Sequence, residues 1–274
     1  MIRDEMIHKK RVVVKVGTST LTHENGRANL RRIDILSRVL SDVSSTGRDV
    51  VLVSSGAIGV GMGKLKIGER PRATAERQAI AAVGQCELMQ IYSKSFAEYS
   101  HIVGQILLTR DVVTNERTRA NVVNTFDNLL KMGIIPIVNE NDSVTTEELE
   151  DRYINGFGDN DTLSAIVAAL VRADLLIMLS DKDGFYTENP DKNPDAELVG
   201  LITEISPQIE SAAGGVGSSR GTGGMETKIE AAKTAMAQGI DIVLANGTDP
   251  SVIYGILEGE EIGTHFKAPK IGDV

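Results

Sequence analysis

The sequence comprises 274 residues, of which 41 % are hydrophobic and 4 % aromatic, with a formal net charge of −9. The acidic balance argues against nucleic acid or an anionic membrane surface as the main partner. No apolar run approaches the roughly 18 residues of a membrane span, and the single cysteine excludes an internal disulfide, so we predict a soluble, cytoplasmic protein.

The first predicted element is a buried strand at 11–16, in which the β-branched run that follows Arg11 carries one charge, Lys15, near its end. Buried parallel strands are normally continuous apolar runs. A lysine at the carboxyl end of a central strand, beside a glycine (Gly17) that lets another backbone approach, suits a phosphate group. The alternative is a strand-end lysine that simply reaches solvent.

The rest of the chain alternates between predicted strands and helices. In chain order we predict a helix at 29–47, a strand at 50–53, a glycine-rich passage at 59–68, a helix at 74–96, a strand at 103–108, a helix at 115–132, a strand at 134–138, an acidic loop at 145–158, a helix at 161–173, a strand at 175–179, a short hairpin at 185–202, a flexible loop at 211–224, a helix at 225–238 and a strand at 242–244. This alternation predicts an α/β fold, with helices on both faces of a mostly parallel central sheet.

Polar residues follow five of the predicted strands. Because right-handed crossovers bring the carboxyl ends of parallel strands to one edge, where α/β proteins bind ligands, we expect these residues to converge. They are Lys15 with Gly17, Ser55 with Gly56, Asn139 to Asp142, Ser180 with Asp181, and Asn246 with Gly247. The group at Ser180 and Asp181 either forms only a turn or lines a nucleotide pocket.

A glycine run enters a predicted helix at 221–228, and Lys228 lies about one turn inside that helix. The free N–H groups and the positive dipole at a helix start form an anion site. The run is not a Walker A loop, because no glycine precedes Lys228. A flexible linker with a solvated lysine explains the pattern equally well.

Two carboxylates and an amide lie where the helix at 161–173 is predicted to begin. They are Asp159, Asn160 and Asp161. Asp161 is a good helix N-cap, and Asp159 complements the helix dipole. The functional alternative is that one aspartate orients the two lysines and Asn160 binds substrate. Acceptors such as Asp142 and Asn139 on the neighbouring strand suit an α-ammonium group, whereas Ser55 and the Gly56 N–H suit a carboxylate. The four histidines form no zinc-binding spacing, so no protein-built metal site is predicted.

Taken in order, seven stretches resemble the amino acid kinase family, most closely its members that phosphorylate L-glutamate. The stretches are 14–19 (VKVGTS), 53–58 (VSSGAI), 81–85 (AAVGQ), 137–142 (IVNEND), 158–161 (GDND), 180–181 (SD) and 221–228 (GTGGMETK). Each is weak alone, but their ordered conjunction is specific, and the resemblance covers about residues 10–266.

The resemblance implies a three-layer αβα sandwich and a single kinase domain over 1–274. It places the acceptor site over about 1–170 and the ATP site over about 171–274, with no PUA domain, which many relatives carry at the C-terminus. The implied activity is transfer of the γ-phosphoryl group of Mg-ATP to the γ-carboxylate of L-glutamate, the committed step towards proline. ATP and Mg²⁺ are then the cofactors, with Mg²⁺ held mainly by ATP.

The resemblance also implies roles for individual residues. Those matching Lys15 and Lys228 hold the transferring phosphoryl group, and the one matching Asp161 orients them. Those matching Ser55, Asp142 and Asn160 bind glutamate, and Gly56, Asn139 and Asp159 join them by position. The ATP set consists of Lys15, Gly17, Ser180, Asp181, Thr222, Gly223, Gly224, Met225, Glu226, Thr227 and Lys228.

Further expectations concern partners. The resemblance implies feedback inhibition by L-proline at a site overlapping that for glutamate, and we expect a homo-oligomer, a dimer or a tetramer. Whether a glutamate-5-semialdehyde dehydrogenase receives the product stays open. Two alternatives also stay open: a family member that acts on carbamate, acetylglutamate or aspartate, and a nucleotide- or amino-acid-sensing module without turnover.

Overall fold

The computed structural model describes residues 3–23, 25–144, 159–190, 192–214 and 224–269. The acidic loop predicted at 145–158 lies outside the described residues, as does most of the loop predicted at 211–224. No helix within the described ranges is long and apolar enough to cross a membrane.

Eight strands, ten α-helices and one 3₁₀ helix (Asp4–His8) make up the described fold. The strands are β1 (Arg11–Val16), β2 (Asp49–Ser54), β3 (Val103–Leu108), β4 (Ile135–Glu140), β5 (Leu175–Ser180), β6 (Leu201–Ile202), β7 (Asp241–Asn246) and β8 (Thr264–Phe266). The helices are α1 (Thr18–Leu21), α2 (Leu30–Ser45), α3 (Ala57–Leu65), α4 (Thr74–Ala97), α5 (Asp111–Thr114), α6 (Glu116–Lys131), α7 (Asn160–Leu170), α8 (Pro207–Ala213), α9 (Met225–Met236) and α10 (Val252–Leu257).

The strands form one sheet in the order β3-β4-β2-β1-β5-β7-β8-β6. Every neighbouring pair is parallel except β7 and β8, which pair antiparallel. The predicted α/β fold with a mostly parallel sheet is therefore confirmed. The five strands with polar exits, β4, β2, β1, β5 and β7, are consecutive in the sheet, so their carboxyl ends form one continuous edge.

Helices cover both faces of the sheet, and alternate residues of β1 belong to two separate cores. Val13 packs in the core that contains Leu163 of α7 and Ile229 of α9. Val12 and Val14 pack in the opposite core, with α2 and α4. Since strand side chains alternate between faces, Lys15 lies on the same face as Val13, which is the face that α7 and α9 cover.

The glycine-rich passage at 59–68 was assigned no helix or strand from the sequence, but residues 57–65 form α3. This helix packs backbone to backbone on α4 at two glycines. A Cβ on Gly84 would stand 1.7 Å from the Ala57 carbonyl oxygen, and one on Gly61 would stand 2.2 Å from the Ile80 carbonyl oxygen. Glycine weakens an isolated helix, but here it allows a contact that no larger residue permits.

Other differences come from short or nonlocal elements. Helix α8 occupies the beginning of the loop predicted at 211–224, and helices α5 and α10 and strand β8 had no predicted counterpart. The predicted hairpin at 185–202 is reduced to one antiparallel bridge between Tyr186 and Leu198, and 201–202 pair with β8 instead. These pieces have too few residues to show a hydrophobic period, and tertiary contacts hold them in place.

We predict that Gly84→Ala destabilises the fold by about 1–3 kcal/mol or more, because the added methyl group overlaps the backbone of α3. Gly68→Ala is the matched control, since an added Cβ there meets no atom within 4 Å. Urea denaturation measures both variants. Equal stabilities of the two variants would show that α3 and α4 separate without cost.

Candidate active site

A buried carboxylate joins two lysines at the carboxyl edge of the sheet. Lys15 Nζ lies 2.5 Å from Asp161 Oδ1, and Lys228 Nζ lies 3.0 Å from Asp161 Oδ2. Asp161 is 1 % exposed, Lys15 7 % and Lys228 8 %. Two ammonium groups and one carboxylate leave this cluster with one net positive charge, although the chain as a whole is acidic.

Three elements bring these side chains together. Lys15 is the penultimate residue of β1, Asp161 is in the first turn of α7, and Lys228 is in the first turn of α9. The N-cap of α7 is Asp159, whose Oδ1 accepts a hydrogen bond from the Thr162 N–H at 2.8 Å. The prediction that Asp161 caps this helix is therefore wrong. Because Asp159 supplies the cap, the Asp161 carboxylate is available to the lysines.

The electrostatics of the two aspartates differ. Burial, the largest single influence, opposes ionisation of Asp161, but the adjacent Lys15 and Lys228 outweigh it and lower the pKa to about 2. For Asp159, burial raises the pKa, and the negative Asp161 raises it further. The geometry thus holds a carboxylate ionised in a buried place, where it pairs with both lysines.

The beginning of α9 is tied to the same carboxylate. Thr227 Oγ1 lies 3.0 Å from Asp161 Oδ2 and 2.9 Å from the Gly224 carbonyl oxygen. Lys228 Nζ also donates to that carbonyl, at 3.3 Å. The predicted helix start after the glycine run is confirmed, and Lys228 is a buried cluster member rather than a solvated lysine. The contact between Thr227 and Asp161 was not predicted, because it joins residues 66 positions apart.

A second polar cluster lies beside the lysines, on the side of β2 and β4. Asn160 Nδ2 donates to Ser55 Oγ at 2.6 Å and to Asn139 Oδ1 at 3.2 Å. Asn139 Nδ2 in turn donates to Gln85 Oε1 at 2.9 Å. Gly56 follows Ser55 with φ +99°, a left-handed conformation that favours glycine and begins α3. Gln85 was not predicted as a site residue, because it lies in helix α4 and not at the end of a strand.

The remaining predicted site residues are placed as follows. Asp142 follows β4 and is half-buried, and Gly17 precedes α1 beside the Lys15 ammonium. Ser180 is buried at the end of β5, and its Oγ lies 3.2 Å from Oδ1 of the exposed Asp181. Within the described residues, no hydrogen bond or ion pair joins Ser180 or Asp181 to Lys15 or Lys228.

The nucleotide set predicted around the glycine run is only partly described. Met225 and Glu226 form the first turn of α9, where Met225 is half-buried and Glu226 is exposed. Thr222 and Gly223 lie outside the described residues. The exit of β7 is anchored to that of β5, because Asn246 Nδ2 donates to Asp183 Oδ1 at 2.8 Å and the Gly247 N–H donates to the Ser180 carbonyl at 2.7 Å.

A family model described as "Amino acid kinase family" matches residues 10–246, a stretch that contains both lysines and Asp161. The chain belongs to the amino acid kinase family. It is 59 % identical over 269 residues to a glutamate 5-kinase of Clostridium perfringens, covering 98 % of this chain and 99 % of that protein. It is 55 % identical to a glutamate 5-kinase of Listeria monocytogenes, covering 98 % and 97 % respectively.

Solved structures share the fold at much lower sequence identity. An isopentenyl phosphate kinase from T. acidophilum, in a product complex, superposes with a TM-score of 0.65 at 18 % identity, covering 94 % of this chain and 100 % of that chain. Another isopentenyl phosphate kinase gives a TM-score of 0.66 at 16 % identity, with the same coverage. These two likenesses establish the amino acid kinase fold and carry no information about the acceptor.

The lowered pKa of Asp161 predicts an acid-dependent loss of stability. Because the folded pKa, about 2, lies below the ordinary value of 3.8, the ionised carboxylate stabilises the fold above the ordinary value. That contribution, roughly 2 kcal/mol, disappears as the pH falls from about 4 to about 2. Urea denaturation across this range should therefore show a weaker pH dependence in Asp161→Asn than in the unmodified protein.

The control for that experiment is Asp195→Asn, which removes an exposed carboxylate. It should follow the acid profile of the unmodified protein. If Asp161→Asn follows that profile as well, the ion pairs with Lys15 and Lys228 do not contribute to stability.

Proposed function

We propose that this protein transfers the γ-phosphoryl group of Mg-ATP to the γ-carboxylate of L-glutamate. The product is L-glutamyl 5-phosphate, and the reaction is the first step of proline biosynthesis. The observation that carries the proposal is the buried pair of ammonium groups held by Asp161 beside the cluster of Ser55, Asn139 and Asn160. The 59 % identical relative named glutamate 5-kinase supports the choice of acceptor.

The chemistry requires positive charge at this point. A carboxylate must approach a polyanionic triphosphate, and two like unit charges about 4 Å apart repel by ~4 kcal/mol at an effective dielectric near 20. In phosphoryl transfer the protein itself does little covalent chemistry, so positioning and charge neutralisation supply most of the catalysis. The nucleophile is already ionised at neutral pH, so no general base is needed.

In this proposal Lys15 and Lys228 contact the transferring phosphoryl group from opposite sides, and Asp161 orients both ammonium groups. Their buried surroundings strengthen the attraction to the developing charge. Because both Asp161 oxygens already face lysines, that carboxylate is not free to hold a metal ion. Mg²⁺ therefore enters as part of the Mg-ATP substrate and is held mainly by phosphate oxygens and water.

The two substrates would occupy neighbouring parts of the strand edge. Ser55, Gly56, Asn139, Asp142, Asp159 and Asn160 form the acceptor side, within about residues 1–170. The exits of β5 and β7 and the start of α9 form the nucleotide side, within about 171–274, with Gly17, Ser180, Asp181 and the residues 222–228. Lys15 and Lys228 stand between the two sides.

Some finer features of the proposal rest on the family resemblance alone. They are inhibition by L-proline at a site overlapping that for glutamate, assembly as a dimer or tetramer, and delivery of the acyl phosphate to a glutamate-5-semialdehyde dehydrogenase. We also propose a cytoplasmic location, where both ATP and glutamate are available.

The test of the acceptor is ADP release, with trapping of the acyl phosphate by hydroxylamine. L-Glutamate, carbamate, acetylglutamate and aspartate are compared, each with and without L-proline. We expect glutamate to give the highest kcat/KM. A higher value with another acceptor would replace the proposed substrate, and absence of turnover with all four would favour a sensing module.

We predict that Lys15→Met and Lys228→Met each lower kcat by roughly 10²–10³-fold, because each removes a preorganised charge at the transferring group. Lys233→Met is the matched control: it lies on the same helix as Lys228 but is 37 % exposed and pairs with Glu230 at 3.3 Å. Steady-state ADP release measures all three variants. A near-normal kcat in either of the first two variants would remove that lysine from the mechanism.

A further inference from the structure

The polar cluster beside the lysines is a directed chain of hydrogen bonds. It runs from Ser55 at the exit of β2, through Asn160 and Asn139, to Gln85 in α4. Each amide in the middle of the chain has its orientation set by its neighbours. Asn160 uses its Nδ2 group for two donations, and Asn139 accepts through Oδ1 and donates through Nδ2.

This direction determines which atoms remain for a ligand. Gln85 accepts through Oε1, and within the described residues no partner engages its Nε2 group, so two N–H donors remain. Ser55 accepts through Oγ, so its hydroxyl hydrogen also remains, and the Oδ1 of Asn160 is left as an acceptor. The cluster therefore offers a donor at each end and an acceptor between them.

The two ends of the chain are held by different elements. The Ser55 N–H donates to the Val16 carbonyl, next to Lys15, so Ser55 is on the strand beside the lysines. Gln85 is three hydrogen bonds further along the chain, next to Asn139 of β4. Its place is fixed by the backbone contact of the preceding residue, Gly84, with α3, the helix that begins after Gly56. A donor held in place by the packing of two helices thus lies next to Asn139, at the end of the hydrogen-bond chain opposite Ser55.

We infer that Gln85 is a specificity residue whose Nε2 group donates to the α-carboxylate of the acceptor. This inference rests on the proposed function, because the γ-carboxylate must lie near Lys15 and the α-carbon end must then extend towards β4 and α4. The free acceptor on Asn160 suits the α-ammonium group between the two carboxylates. Gln85 thereby selects acceptors that carry a negative charge at the α position.

The test changes the charge of residue 85 in the protein and the charge of the α substituent in the acceptor. Gln85→Glu keeps an oxygen that accepts from Asn139 but replaces the free donor with a negative oxygen. We expect KM for L-glutamate to rise by roughly 10–100-fold, as when a hydrogen bond to a charged group is lost. Isoglutamine keeps the γ-carboxylate but has a neutral α-carboxamide, from which the carboxylate introduced by the substitution can accept a hydrogen bond. The preference for glutamate over isoglutamine should therefore shrink or reverse, with the KM for ATP unchanged.

Gln90→Glu is the matched control, because it makes the same exchange at an exposed position of the same helix. This variant should keep the preference of the unmodified enzyme for glutamate over isoglutamine. Gln85→Met provides a second variant that loses the donor without adding charge. It should reduce the preference for glutamate over isoglutamine less than Gln85→Glu does.

Failure of the proposed function and failure of the role of Gln85 give different results. If the unmodified protein releases no ADP with glutamate, the proposed function falls and this inference falls with it. If glutamate is phosphorylated but Gln85→Glu changes kcat/KM for glutamate and isoglutamine by the same factor, only the role of Gln85 is overturned. An unmodified enzyme that uses both acceptors equally well would also overturn it.

Discussion

The site depends on one buried carboxylate that neutralises only half of the positive charge around it. Removing three charged groups from water is costly, and the mutual attraction of Asp161, Lys15 and Lys228 offsets that cost. These three groups together keep one net positive charge. In a chain with a formal net charge of −9, this local charge, and not the global field, must attract an anionic ligand.

The convergence of the lysines follows from the alternation of side chains along one strand. Lys15 shares the face of Val13, and that face is covered by the two helices whose first turns hold Asp161 and Lys228. A shift of one residue in the pairing of β1 would turn Lys15 to the face of α2 and α4. The apolar residues that fix the register of β1 therefore also fix the position of the charge.

The sequence allowed prediction of most of the parallel sheet and of its polar edge, because continuous Val and Ile runs and N-capping residues are local signals. Asn29, for example, caps α2 as predicted. The features that were missed or assigned wrongly depend on contacts between distant residues. Helix α3 forms despite its glycines because α4 packs against them, and Asp159 supplies the cap of α7, which leaves Asp161 available to the two lysines. The role of Gln85 has the same origin, since its partner Asn139 is 54 positions away.

The most direct test of the central claim is a crystal structure of the enzyme with Mg-ADP, aluminium fluoride and L-glutamate, in which the fluoride mimics the transferring phosphoryl group. The account predicts that Lys15 Nζ and Lys228 Nζ both lie within hydrogen-bond distance of the fluoride, with Asp161 still between them. A complex in which either ammonium group faces away from the fluoride, or in which the fluoride binds elsewhere in the protein, would contradict it.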